Sequence, residues 1–81
     1  MERVSPQRDQ NGNLASFGAA VRAGRKAQGL SQEALADCAE IDRSHMGKIE
    51  RGECNVTLMN VLRIANALHT KASNLLGTAG L

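Results

Sequence analysis

The apolar positions of this chain recur with the period of an α-helix. In several segments they lie three and four residues apart, whereas the two-residue alternation of a half-buried β-strand is not found. Gly and polar residues separate these segments at short intervals. The pattern predicts an all-α fold built from short helices.

Helix starts and stops divide the pattern into five helices. A Ser, Thr, Asp or Asn side chain caps a helix by accepting a hydrogen bond from the backbone of its first turn. The residues placed to do so for the first four helices are Asn13, Ser31, Asp42 and Thr57. Gly29 can end the first helix in a left-handed conformation, and a fifth helix is predicted around residues 72–76, where Lys71 is a poor cap.

The apolar stripes of these helices predict the core. The inward-facing positions are Leu14, Phe17, Val21, Leu35, Ala36, Ala39, Met46, Ile49, Leu58, Val61, Leu62, Ala65 and Leu68. A chain of 81 residues holds one small domain. We expect it to occupy residues 13–77, after a flexible arm over residues 1–12 and before a short tail over residues 78–81.

The second and third helices are very close in sequence. Only Glu40 and Ile41 separate the second helix from the cap Asp42, so the two helices must cross steeply around a tight contact. This is the geometry of a helix-turn-helix, here at about residues 32–51. Such an arrangement leaves the outer face of the third helix free to enter the major groove of DNA.

That outer face carries groups suited to reading bases. Arg43 can donate two hydrogen bonds to guanine O6 and N7, and Ser44 can bond a base edge or a phosphate. Lys48 lies about one turn further along the same side. These side chains predict contacts to double-stranded DNA.

Charge and composition narrow the class of protein. The net charge is only +2, and residues 29–52 hold five acidic residues against three basic ones, which favours a few placed contacts over a general coating of phosphate. With Phe17 as the single aromatic residue, base stacking on single strands is disfavoured. Neither a signal peptide nor a membrane-spanning run is visible, so we expect a cytoplasmic protein with reduced Cys38 and Cys54.

The chain offers little for catalysis or metal binding. Its Cys and His residues are Cys38, His45, Cys54 and His69, and their spacing lacks the paired pattern of zinc sites. A Cys–His nucleophile would need an oxyanion site and a cleft, which a chain this small hardly provides. We therefore expect no metal, no cofactor and no enzymatic activity.

Three segments together resemble the helix-turn-helix family of phage repressor and Cro proteins, the XRE-like family. They are RKAQGLSQEALA, IDRSHMGKIERG and NVTLMNVLRIANAL, and the resemblance extends over about residues 14–76. Within that family the chain looks most like restriction-modification controller proteins, which share the order acid, Arg, hydroxyl, ring in the recognition segment. The resemblance implies a compact five-helix domain of the lambda-repressor type.

The resemblance also implies roles for individual residues. Base contacts fall to Arg43, Ser44 and Lys48, and contacts to the DNA backbone fall to Gln32, His45, Asn55 and Thr57. Arg25 and Glu50 match a partly buried salt bridge that ties the first helix to the third. Three positions depart from the family pattern: Glu40 replaces a turn Gly, Gly24 replaces a larger apolar residue, and Cys54 stands where controllers often have Arg.

A single copy of such a domain makes few DNA contacts, so we expect a homodimer on an inverted-repeat operator. The apolar residues left for a dimer interface are Met59, Ile64, Ala72, Leu76 and Leu81. The expected function is transcriptional regulation, including that of its own gene, in contact with the transcription machinery. The alternative is the antitoxin of a toxin–antitoxin pair, which binds a toxin as well as DNA.

Overall fold

The computed structural model describes residue 9 and residues 11–81, and all regular secondary structure within them is helical. The five helices are α1 Asn13–Ala27, α2 Gln32–Ala39, α3 Arg43–Glu50, α4 Leu58–Ala67 and α5 Ala72–Thr78. The prediction of an all-α fold with five helices is confirmed. The expected arm over residues 1–12 lies mostly outside the described residues.

Three of the predicted helix caps are present. The Ser31 hydroxyl accepts a hydrogen bond from the backbone N of Ala34 at 3.0 Å. The Asp42 carboxylate accepts one from Ser44 at 3.0 Å. The Thr57 hydroxyl accepts one from the backbone N of Asn60 at 3.1 Å. Each bond satisfies a first-turn N–H that has no partner within its own helix.

The start of α1 differs from the prediction. Asn13 is the first helical residue rather than the cap, and Gly12 precedes it with a φ of 67°. This left-handed turn returns the chain toward Asp9, whose carboxylate accepts a hydrogen bond from the backbone N of Leu14 at 3.0 Å. The capping side chain therefore comes from four residues before the helix, and the sequence reading missed it.

The core lies where the helices meet, and its largest fully buried side chains are Val21, Leu35, Met46, Ile49 and Ile64. The predicted stripe of α4 was partly wrong. Leu58 and Leu62 are 71% and 44% exposed, whereas Ile64 is 0% exposed. Since Val61, Ile64, Ala65 and Leu68 also keep helical spacing, α4 is rotated to bury that stripe instead. Ile64 therefore belongs to the core and cannot form part of a dimer surface.

Two glycines let α1 lie directly against the end of α3. A Cβ atom on Gly18 would overlap the carbonyl oxygens of Ile49 and Glu50. At Gly52, which has a φ of 70°, a Cβ atom would lie 2.7 Å from the Cα of Ala15. Backbone contact of this kind admits no side chain, so these glycines fix the distance between α1 and α3.

The turn between α2 and α3 has backbone strain at Glu40. Glu40 adopts a φ of 57° and a ψ of 42°, the left-handed conformation that usually requires Gly. This conformation costs a non-Gly residue on the order of 1 kcal/mol or more. The turn closes through a hydrogen bond from the backbone N of Ile41 to the carbonyl O of Ala36 at 2.9 Å. The short turn between α2 and α3 is thereby kept despite the missing Gly, and the two helices pack against each other.

The C-terminal helix is slightly longer than predicted. It begins at Ala72, as expected, but continues to Thr78. The side chain of Lys71 forms no capping hydrogen bond with the described part of the chain. Among the described residues, no helix is long and apolar enough to cross a membrane.

Candidate nucleic-acid interface

Helix α3 has one buried side and one exposed side. Met46, Gly47, Ile49 and Glu50 are buried. The three side chains predicted to contact bases, Arg43, Ser44 and Lys48, are all exposed. The structure thus places these three residues together on the exposed side of α3.

The recess beside this surface is formed by α2 and α3 together. It is lined by Gln32, Arg43, Ser44, Gly47, Lys48 and Arg51. A Cβ atom on Gly47 would lie 3.1 Å from Nη1 of Arg51 and 3.2 Å from Oε1 of Gln32. Gly47 therefore lets both side chains lie close over the middle of α3.

Sequence reasoning missed Gly47 and Arg51 as members of this surface. A signal for Arg51 was present, because positions 44, 48 and 51 follow one another at helical spacing. The role of Gly47 had no comparable signal, since it depends on side chains from two different elements. We name the set formed by the half-buried Gln32 and the exposed Arg43, Ser44, Lys48 and Arg51 the recognition face.

A buried ion pair holds the helices behind the recognition face. Nε of Arg25 lies 2.8 Å from Oε2 of Glu50, and Nη2 of Arg25 donates to Oε1 of Glu50 at 3.1 Å. The two side chains are 12% and 3% exposed. The predicted salt bridge between α1 and α3 is confirmed. The hydrogen bond from Arg25 to Glu50 raises the pKa of the Arg25 guanidinium, against the opposing effect of burial.

The ion pair also reaches α2 and the loop before it. Nη1 of Arg25 donates to the carbonyl O of Leu30 at 3.0 Å, and Nε2 of Gln32 donates to Oε1 of Glu50 at 3.2 Å. One network thus connects α1, α2 and α3. Gln32 has two amide hydrogens, so the one bound to Glu50 leaves a second for another acceptor.

The other predicted backbone contacts lie at two places around α3. His45 is half-buried in the first turn of α3, and its backbone N–H points to the Asp42 carboxylate at 3.4 Å. Asn55 and Thr57 are exposed in the loop between α3 and α4. Because the Thr57 oxygen accepts from Asn60, its hydroxyl hydrogen is the group left to donate.

A second ion pair lies in the open at the end of α3. Nε of Arg51 lies 3.0 Å from Oε2 of Glu53, and the side chains are 58% and 52% exposed. The hydrogen bond from Arg51 lowers the pKa of the Glu53 carboxyl, with a smaller contribution from the positive charge of Lys48. Glu53 is thus held as an anion beside Arg51 of the recognition face.

The cysteines show no arrangement for metal binding within the described residues. No group of three or more His, Cys, Asp or Glu side chains that could hold a metal ion is found there. Cys38 is an exposed free thiol and Cys54 is half-buried. Burial raises the pKa of the Cys54 thiol, which disfavours the reactive thiolate.

Comparison with known proteins agrees with this geometry. The helix-turn-helix domain family matches residues 16–75. The chain is 43% identical over 61 residues to the control protein C.SmaI of Serratia marcescens. The matched segment is 75% of this chain and 73% of that protein.

Solved structures give the same assignment. The restriction-modification controller protein C.AhdI from Aeromonas hydrophila is similar with a TM-score of 0.75 and 47% identity, covering 76% of this chain and 94% of that one. The hypothetical transcription factor NHTF from Neisseria is similar with a TM-score of 0.76 and 32% identity. The match covers 94% of this chain and 83% of that one. The chain therefore belongs to the XRE-like helix-turn-helix family of DNA-binding transcription regulators, in the branch of the restriction-modification controller proteins.

Proposed function

We propose that this protein acts as a homodimer that binds an inverted-repeat operator and controls transcription of restriction-modification genes, including its own. The observation that carries the proposal is the recognition face, in which the three side chains predicted to contact bases lie on a helix fixed from behind by the Arg25–Glu50 ion pair. The names of C.SmaI and C.AhdI support the link to restriction-modification control.

The first turn of α3 supplies the base contacts in this proposal. Arg43 is the first residue of the helix, and the Asp42 cap holds that turn in place. Its guanidinium fork can bond O6 and N7 of one guanine, while Ser44 bonds a neighbouring base edge. Lys48, one turn on, adds a donor on the same side.

Contacts to the DNA backbone would fix the register of α3. Gln32 is the first residue of α2, where helix N–H groups and the helix dipole favour a phosphate. Thr57 is the cap residue at the start of α4, with Asn55 near it in the loop. His45 can press its ring on the sugar-phosphate backbone.

The dimer surface in this proposal differs from the one predicted from the sequence, because the exposed residues of α4 are not the ones expected. Ile64 is excluded by its burial, whereas Leu58, Met59 and Leu62 are exposed on one side of the first turns of α4. Leu81 is also exposed, and Ala72 and Leu76 are half-buried on α5, which packs against α4. Apolar surface of this kind favours an interface, and a two-fold contact matches a palindromic site.

Base reading is tested by replacing Arg43 with Ala and measuring mobility shifts on the DNA upstream of the gene. The variant should lose about 1 to 3 kcal/mol of binding free energy on the cognate palindrome and show a relaxed base preference at one position. Arg22→Ala, an exposed charge on α1, is the matched control and should not change base preference. Equal losses on cognate and random DNA for Arg43→Ala would contradict base reading.

The dimer is tested with Leu62→Asp, because Leu62 is 44% exposed and can accept a charge without disturbing the core. Sedimentation should show monomers and operator binding should weaken strongly. Ala23→Asp, at an exposed position of α1, carries the same charge and should remain dimeric. A monomeric wild-type protein at micromolar concentration that binds a half-site tightly would contradict the proposal.

The antitoxin alternative stays a prediction from the sequence. None of the relatives reported above is described as an antitoxin. A toxin-like reading frame beside the gene would favour it, and a restriction or methylation gene there would favour the controller function.

A further inference from the structure

Glu53 occupies a position that its contribution to folding does not explain. It lies just beyond the C-terminal end of α3, where the helix dipole disfavours an anion. Its contact with Arg51 is an exposed ion pair, a type that contributes little to stability. An acidic side chain at this place therefore calls for a reason other than the fold.

The backbone fixes where this acid stands. Gly52 turns the chain with a φ of 70°, and its N–H donates to the carbonyl O of Ile49 at 3.1 Å. The N–H of Glu53 then donates to the carbonyl O of Lys48 at 2.9 Å. This helix-ending turn holds Glu53 immediately beside the recognition face.

Arg51 connects Glu53 to that face. The Nη1 atom of Arg51 lies over Gly47, in the recess lined by Gln32, Arg43, Ser44 and Lys48, while its Nε atom is bound to Glu53. The same guanidinium is thus directed both to the surface that would meet DNA and to an internal carboxylate. An arginine fork binds phosphate and carboxylate with the same geometry. With Nε already bound to Glu53, a phosphate that approaches Arg51 has to displace the carboxylate before it can use the Nε side of the fork.

We propose that Glu53 is an internal competitor for the DNA phosphate that Arg51 would otherwise bind, and that it thereby lowers the affinity and the salt dependence of operator binding. This inference rests on the proposed function. Each DNA phosphate neutralised by a basic side chain contributes to affinity by releasing counterions. With Glu53 present, Arg51 already has an anionic partner, and a phosphate brought to it also meets the repulsion of the carboxylate.

Lys48 extends the effect of Glu53. The backbone N–H of Glu53 is bound to the carbonyl O of Lys48, and the positive charge of Lys48 adds a small contribution to the lowered pKa of the Glu53 carboxyl. Glu53 therefore reduces the positive potential around two cations of the recognition face. Its proposed role is to set how strongly the face attracts any DNA, while base preference stays with Arg43 and Ser44.

The test compares Glu53→Gln with wild type on the operator over a range of salt concentrations. Gln keeps the size of the side chain and removes its charge. The variant should bind about fivefold more tightly, the factor that corresponds to the strongest exposed ion pairs. The slope of log affinity against log salt should steepen by about 0.9, which is one additional phosphate contact.

Two further variants isolate the competition. Asp37→Asn removes one negative charge at an exposed position of α2 and controls for net charge, so it should give a clearly smaller gain. Glu53→Gln placed in an Arg51→Ala background should give a clearly smaller gain than in the wild-type background, because the contested guanidinium is absent and only the charge near Lys48 is relieved.

The outcomes separate this inference from the proposed function. A wild-type protein that binds no operator contradicts the proposed function itself. A wild-type protein that binds, with Glu53→Gln equal to Asp37→Asn or weaker than wild type, overturns the role of Glu53 alone. A full gain that persists without Arg51 also overturns it.

Discussion

The end of α3 carries two arginine–glutamate ion pairs of nearly equal length in very different surroundings. Arg25 and Glu50 are 2.8 Å apart with side chains 12% and 3% exposed, whereas Arg51 and Glu53 are 3.0 Å apart and more than half exposed. The buried pair has further hydrogen bonds to Leu30 and Gln32. By distance alone the two ion pairs would be expected to have equal strength. Burial gives the Arg25–Glu50 pair a structural role, whereas the exposed Arg51–Glu53 pair can exchange its carboxylate for an external anion.

The sharpest test of this comparison is to remove one acid from each pair. Glu50→Ala leaves the Arg25 guanidinium buried without its partner, so the free energy of unfolding should fall by roughly 3 to 5 kcal/mol. Urea denaturation followed by circular dichroism measures this loss.

Glu53→Ala is the control for that measurement. Water can replace the lost partner of an exposed arginine, so its free energy of unfolding should stay within about 1 kcal/mol of the wild-type value. Equal destabilisation by the two variants would show that burial does not distinguish the pairs.

The buried ion pair also depends on the close approach of α1 to α3. A substitution at Gly18 can disturb this approach without changing either charged residue. In Gly18→Ala the new Cβ meets the carbonyl oxygens of Ile49 and Glu50, which belong to the backbone and cannot move aside. We expect a loss of about 1 to 3 kcal/mol or more, the usual effect of overpacking. Thermal unfolding of the variant checks this.

Gly24 in the same helix provides the matched control. A Cβ atom there would meet only the end of the Leu68 side chain, at 3.2 Å, which can rotate away. Because Ala is preferred over Gly inside a helix by roughly 0.5 to 1 kcal/mol, Gly24→Ala should be neutral or stabilising. A larger loss at Gly24 than at Gly18 would contradict the assigned contact between α1 and α3.

The smallest expected effect is a change in the pKa of the Glu53 carboxyl when Arg51 is replaced. Arg51 lowers the pKa of this carboxyl, so the ion pair contributes its slight stability above the ordinary pKa of Glu and loses it as pH falls through the lowered value. In Arg51→Ala the NMR-detected titration of Glu53 should move to higher pH. An unchanged titration would show that the two side chains are not paired in solution.

Local signals in the sequence predicted much of this structure. Ser31, Asp42 and Thr57 act as caps because a cap needs only its own side chain and the next turn. The resemblance marked Glu40 as standing in place of a turn Gly, and this residue does adopt the left-handed conformation. The ion pair of Arg25 and Glu50 was found in the same way.

What the sequence did not reveal depends on the arrangement of whole helices. The α4 stripe was misassigned because Leu58 and Leu62 and the buried Ile64 all fit helical spacing, and only the packing of α2 and α5 against α4 selects between them. Gly18 and Gly47 look like weak helix positions in a linear sequence. Their importance appears only when a second helix or a neighbouring side chain occupies the space.

The hydrogen bond from Gln32 to Glu50 has a consequence for the thermodynamics of recognition. It joins a side chain of the recognition face to the buried ion pair, so that this side chain is ordered before any DNA arrives. Less conformational entropy is then lost on association. The heat capacity change of binding should accordingly reflect the surface covered at the interface, without the larger contribution that accompanies folding coupled to binding.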